Sequence, residues 1–137
     1  MWLGVIILAY KTDPLRILLI KNKQTGNITP IAGALEKGEN LKDAAVRELR
    51  EEVGWTVDPN QFKKTDIKHV FSYGSQKKDR AGDKGENAVL LLNADDLSEA
   101  KETKDAKSAR WLTPGEALKR ISFEDLKNVI TKSIEYI

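Results

Sequence analysis

Three observations predict an α+β fold in which helices cover a mixed β-sheet. Short β-rich runs recur along the whole chain and outnumber the helical patterns. One segment, Leu41 to Val53, changes to apolar residues every four positions. The 137 residues, 40% hydrophobic and 32% charged, suit one soluble domain spanning 1–137 rather than two domains or a disordered chain.

Trp2–Tyr10 is apolar and β-rich, and "KTDP" separates it from "RILLIK", so the two runs read as a hairpin. The opening run lacks a basic leader and a small-residue cleavage site, and no run is long enough to span a bilayer. "NKQTGN" reads as a turn and "ITPIAGAL" as a short extended piece. The central helix follows, with Leu41, Ala45, Leu49 and Val53 on one stripe and Val46 beside them. Asn40 suits its N-cap, Asp43 its first turn and Gly54 its end.

"WTVDPN" reads as renewed extended structure, and "TDIKHVFSYG" as a strand. "SQKKDRAGDKGEN" reads mostly as loop, which places Lys84 in that loop, and "AVLLLNA" as a buried strand. "DDLSEAKETKDAK" is a charged connector, and "ARWLT" a short strand. One helix starts at Pro114 in "PGEALKRI". A second covers "SFEDLKNVITKSIEYI", capped by Ser122 with Asp125 as capping-box partner.

Composition excludes some functions. With no cysteine there is no disulfide, thiolate zinc site or catalytic thiol, which suits a cytoplasmic protein. The net charge of +2 is no nucleic-acid footprint in itself.

The chemistry lies in "RELREEVG". On a helical wheel of about 100° per residue, Glu48, Glu51 and Glu52 share an arc of roughly 100° beside the apolar stripe. Like charges at these spacings repel, and a divalent cation resolves the repulsion. Clustered carboxylates are hard oxygen ligands suited to Mg²⁺ or Mn²⁺, and magnesium takes its remaining ligands from water and substrate phosphates. The cluster therefore points to phosphoanhydride chemistry.

The spacing is more specific still. Gly33, Glu39, Arg47, Glu48, Leu49, Glu51, Glu52, Gly54 and Trp55 reproduce G-x5-E-x7-R-E-U-x-E-E-x-G-U, where U is bulky and apolar. In this stretch the chain resembles the Nudix hydrolase family, with Trp55 standing where an aliphatic residue is more usual. The resemblance implies an α/β/α sandwich with a mixed sheet and hydrolysis of a nucleoside diphosphate linked to another group. It implies Glu48, Glu51 and Glu52 as metal ligands, Arg47 as the clamp on them, Glu39 as a brace of the loop, and Gly33 as the residue permitting a tight entry to the helix. The carbonyl of Ala32, where many relatives carry a first glycine, is a further candidate ligand. The general base varies among relatives; here Glu48, Glu52 or Asp105, six residues before Trp111, would serve.

The resemblance narrows the substrate less. Relatives that cleave diadenosine polyphosphates carry a tyrosine shortly past the motif, and Tyr73 stands there to stack on a base. Arg80 and Lys84 would hold distal phosphates. His69 reads as structural. The substrate expected is thus a dinucleoside polyphosphate or a (d)NTP. Oxidised (d)NTPs, an RNA 5′-triphosphate end, or nucleotide sensing without catalysis are the alternatives. No membrane partner is expected, and the chain would act as a monomer or homodimer.

Overall fold

The computed structural model describes residues 2–72, 83–101 and 108–137. Two hairpin strands, β1 (Trp2–Lys11) and β2 (Arg16–Lys21), are followed by the short β3 (Ile28–Thr29) and β4 (Ile31–Ala34). Helix α1 (Leu41–Val53) comes next, then β5 (Phe62–Ser72), β6 (Lys84–Asn93) and β7 (Ser108–Leu112). Two helices, α2 (Pro114–Arg120) and α3 (Glu124–Ile134), complete the described elements.

These strands form one mixed sheet in the order β3-β2-β1-β6-β5, with β4 paired to β1 and β7 to β2. β1 is its centre. It runs parallel to β6 from Trp2↔Gly85 to Tyr10↔Asn93 and antiparallel to β4 from Gly4↔Ala34 to Ile7↔Ile31. Hence Val5, Ile6, Ile7, Leu8 and Ala9 are all buried, as expected of a central strand covered on both faces.

Strand alternation divides the core in two. Val5, Ile7, Leu90 and Leu92 pack with Ala45, Leu49 and Val53 of α1. Ile6, Leu8, Val89 and Leu91 pack on the other face with Ala117 of α2 and Leu126, Val129 and Ile130 of α3. The result is the three-layer α/β/α arrangement expected.

Both ends of α1 fall where the sequence places them. The Asn40 side chain accepts from Asp43 N at 2.9 Å, and Gly54 ends the helix in the left-handed region with φ 73°. Such a φ strains any residue with a Cβ. The start of α3 differs from expectation. Its N-cap position is Phe123, which makes no side-chain cap bond. Ser122 Oγ instead accepts from Ile28 N at 2.7 Å, and Asp125 pairs with His69 at 2.6 Å. Tertiary partners have drawn off both members of the expected capping box.

Two other segments differ. "WTVDPN" does not continue as strand, because Asp58 caps a short 3-10 turn at Pro59–Gln61. Lys84 lies in β6 rather than in a loop, since antiparallel pairing with Ser72 of β5, beside the parallel pairing of Gly85 onward with β1, extends β6 back past "AVLLLNA".

Candidate active site

A sharp turn at Gly38, φ 79°, returns the chain from β4 to α1. This brings Arg47, nearly two turns into the helix, against the loop it has just left. Its guanidinium binds Glu39 through two parallel bonds, Nε to Oε2 and Nη2 to Oε1, each 2.9 Å. Nη2 also donates to Ala34 O at 2.9 Å, and Nη1 to Glu48 Oε1 at 2.9 Å and Glu51 Oε2 at 3.5 Å. Glu36 approaches Nε at 3.6 Å. One planar fork thus gathers four carboxylates and a backbone carbonyl, which a lysine's point charge cannot do.

Glu39 Oε1 also accepts from Glu36 N at 2.9 Å, closing the loop. The Arg47 bonds hold the Glu39 carboxyl below the usual carboxylate range. Glu48 is pulled the other way. Burial pushes its carboxyl up to about 7, Arg47 opposes this, and the charges of Glu51 and Glu52 add to it. Glu48 is 7% exposed.

Gly33 has a different task from the turn its position suggested. It lies in β4 and its φ is not positive. A Cβ there would sit 2.1 Å from both Cδ and Oε1 of Glu48 and 2.7 Å from Cγ. Glycine is needed because the Glu48 carboxyl rests on its backbone. Ala32, one residue back, is exposed in β4.

Among the described residues, no three carboxylate or histidine side chains already converge on a point that a metal would occupy. The reason is visible in the bonds above: Arg47 draws Glu48 and Glu51 to itself, and the Glu51 side chain is 53% exposed. The donor chemistry nevertheless fits a hard divalent cation. Every candidate donor is oxygen, Glu52 Oε2 is enclosed, and Glu48 is a carboxylate that burial leaves wanting positive charge.

A pH prediction arises here. Unfolded, Glu48 ionises near 4.5; folded and metal-free, it keeps its proton to about 7. Between these values the folded state holds the extra proton, so stability falls as pH rises. The loss is on the order of 2 kcal/mol and levels off above pH 7. Glu39, shifted downward, acts only below this window. Thermal unfolding in EDTA should show Tm dropping from pH 5 to 7.5, with excess magnesium flattening the slope. A flat Tm in EDTA would refute the burial argument.

Lys84 is exposed at the start of β6. Tyr73, Arg80 and Asp105 lie outside the described residues. The connector after β6 is tied to the end of α1 more closely than its composition indicates. Trp55 Nε1 donates to Ser98 O at 2.9 Å, Lys101 N donates to Val53 O at 3.0 Å, and Trp55 stacks on Trp111 with centroids 6.2 Å apart. Trp55, 3% exposed, therefore serves both as core and as anchor.

The same architecture occurs in known proteins. The E. coli dihydroneopterin triphosphate pyrophosphohydrolase is 18% identical, with 98% of this chain and 96% of that one covered at TM-score 0.84. A C. elegans Ap4A hydrolase is 17% identical, with 99% and 97% covered at TM-score 0.76. A bifunctional NMN adenylyltransferase/ADP ribose pyrophosphatase from Francisella tularensis, complexed with AMP and Mn ion, is 24% identical, with 98% and 41% covered at TM-score 0.70. No curated protein matches the sequence. At such identities the likeness speaks for the fold. The family follows from the NUDIX domain model, which matches residues 2–132, nearly the whole chain, and with the intact motif at Gly33–Trp55 it shows that the chain belongs to the Nudix hydrolase family.

Proposed function

We propose that this hydrolase is a divalent-cation-dependent pyrophosphohydrolase of nucleoside polyphosphates, either a dinucleoside polyphosphate of the Ap4A kind or a (d)NTP. The observation that carries the reading is the Arg47 fork, which sets a buried Glu48 against Gly33 on the helix face shared with Glu51 and Glu52. Among the structural neighbours, the name of the Ap4A hydrolase agrees with this substrate class, and that of the dihydroneopterin triphosphate pyrophosphohydrolase with cleavage of a phosphoanhydride.

Glu48, Glu51, Glu52 and the carbonyl of Ala32 would hold Mg²⁺ or Mn²⁺, which supplies an acidified water and neutralises charge developing on the anhydride. In the reaction a water oxygen bonds to phosphorus, the P–O bond to the bridging oxygen breaks, and that oxygen leaves with the remaining phosphate. The water's proton passes to a carboxylate of the chain, for which Glu48, Glu52 and Asp105 are the candidates. Arg47 keeps Glu48 from swinging to solvent, and Glu39 keeps Arg47 in place.

Incubation with magnesium and a panel of diadenosine polyphosphates, (d)NTPs, 8-oxo-dGTP, ADP-ribose and 5′-triphosphate RNA tests the proposal. Cleavage of a dinucleoside polyphosphate or (d)NTP is expected, with Glu52→Gln lowering kcat at least about 100-fold while Tm holds. Nucleotide binding without hydrolysis of any of them would overturn it in favour of a sensor.

A further inference from the structure

On the sheet face opposite α1, β5, β6 and α3 share a chain of polar contacts that the reaction above does not use. His69 lies between two partners: Nε2 is 2.6 Å from Asp125 Oδ2, and Nδ1 is 3.2 Å from Asn87 Nδ2. An amide nitrogen only donates, so Nδ1 accepts, and the ring hydrogen therefore sits on Nε2 and is donated to Asp125. The ring is held further by stacking on Phe71, with centroids 5.7 Å apart and planes 13° apart. Asn87 is 9% exposed.

This chain decides which way the Asn87 amide points. With Nδ2 committed to His69, Oδ1 is turned toward β1, where it lies over Gly4; a Cβ on Gly4 would be only 2.2 Å from it. Asn87 pairs with Gly4, and Gly4 in turn with Ala34, whose carbonyl takes the Arg47 bond. From the fixed oxygen to the β4 edge, this face therefore carries only Gly4 and Ala34. The distance is two strand spacings, about 10 Å, a span on the scale of a nucleoside; Gly33, next to Ala34 in β4, carries the Glu48 carboxyl on the reverse face of that same edge.

We infer that Asn87 is a specificity-determining residue, whose amide oxygen accepts a hydrogen bond from an exocyclic amino group of the substrate's base, and that His69 and Asp125 are positioning residues for it. The substrates favoured are then nucleotides with an amino-bearing base, such as adenine or guanine, over hypoxanthine, which has no amino group. The inference rests on the proposed nucleoside polyphosphate activity and narrows it to a class of base.

Measurement of kcat/KM with ATP, GTP and ITP, or with the corresponding dinucleoside polyphosphates, separates the two. Wild type should prefer an amino-bearing base to hypoxanthine by about tenfold, since a buried acceptor left unmatched is costly. Asn87→Ala should cut the ratio to about twofold or less, and His69→Phe should lower it through KM. Asp125→Asn, which keeps an acceptor for Nε2–H, should retain the ratio that Asp125→Ala loses. The ratio cancels the folded fraction, so loss of stability in a variant does not imitate the effect. Equal rates on all three bases, or an unchanged ratio in Asn87→Ala, would overturn the inference and leave the activity standing. No cleavage of any nucleotide by wild type would overturn the activity itself.

Discussion

Gly33→Ala should silence the enzyme while leaving it folded. The added methyl claims the space that the Glu48 carboxyl and Cγ now fill. Backbone strain is no obstacle, because φ at Gly33 is not positive and alanine adopts a strand conformation readily. The flexible glutamate must therefore move, leaving both the Gly33 cradle and the Nη1 bond. Loss of a correctly placed ligand of this kind is expected to lower kcat by about 100-fold or more, with Tm within a few degrees of wild type. The check is kcat at saturating magnesium alongside thermal unfolding. A variant keeping most of its kcat would show that Glu48 does not act from the position seen here.

Arg47→Lys should reduce both stability and turnover. The fork serves Glu39 bidentately, Ala34 O and Glu48 together, and an ammonium reaches at most part of this set. Side chains of Arg47, Glu39 and Glu48 are 17%, 14% and 10% exposed, so carboxylates left behind are poorly compensated by water. Breaking such a part-buried network costs about 2–3 kcal/mol, roughly 10 °C in Tm. Turnover should fall about 10- to 100-fold because Glu48 loses its tether. Unfolding scans and kinetics on Arg47→Lys and Glu39→Gln test this together. If Arg47→Lys matched wild type in both, the clamp would be ornamental.

The helix that carries the site was legible because its signals are local. A four-residue apolar recurrence, Asn40 before it and Gly54 after it depend only on near neighbours, and all three hold. The α3 cap is not legible for the opposite reason. Ser122 and Asp125 fit a local capping pattern, but partners far along the chain, Ile28 and His69, compete for them and win. Gly33 shows a subtler limit: its place in the motif is plain from spacing, yet what it accommodates is a side chain fifteen positions on. Lys84 reads as loop because its polar neighbours hide a strand end that only pairing with distant Ser72 of β5 creates. No sequence pattern marks Asn87 either, since its orientation follows from a histidine and an aspartate on two other elements.

The place of β1 at the centre of the sheet also governs how the chain can be made. Its longest register is with β6, and every residue from Trp2 to Tyr10 waits for a partner between Gly85 and Asn93. On a ribosome adding 5–20 residues per second, that wait is on the order of ten seconds. Throughout it, β4 and β2 cover only one edge of β1, and the other edge stays an apolar template open to foreign strands. Helix α1 is thus synthesised before the sheet it needs can close. Folding yield in the cell should depend on what shields β1 during that interval more than on the stability of the finished fold.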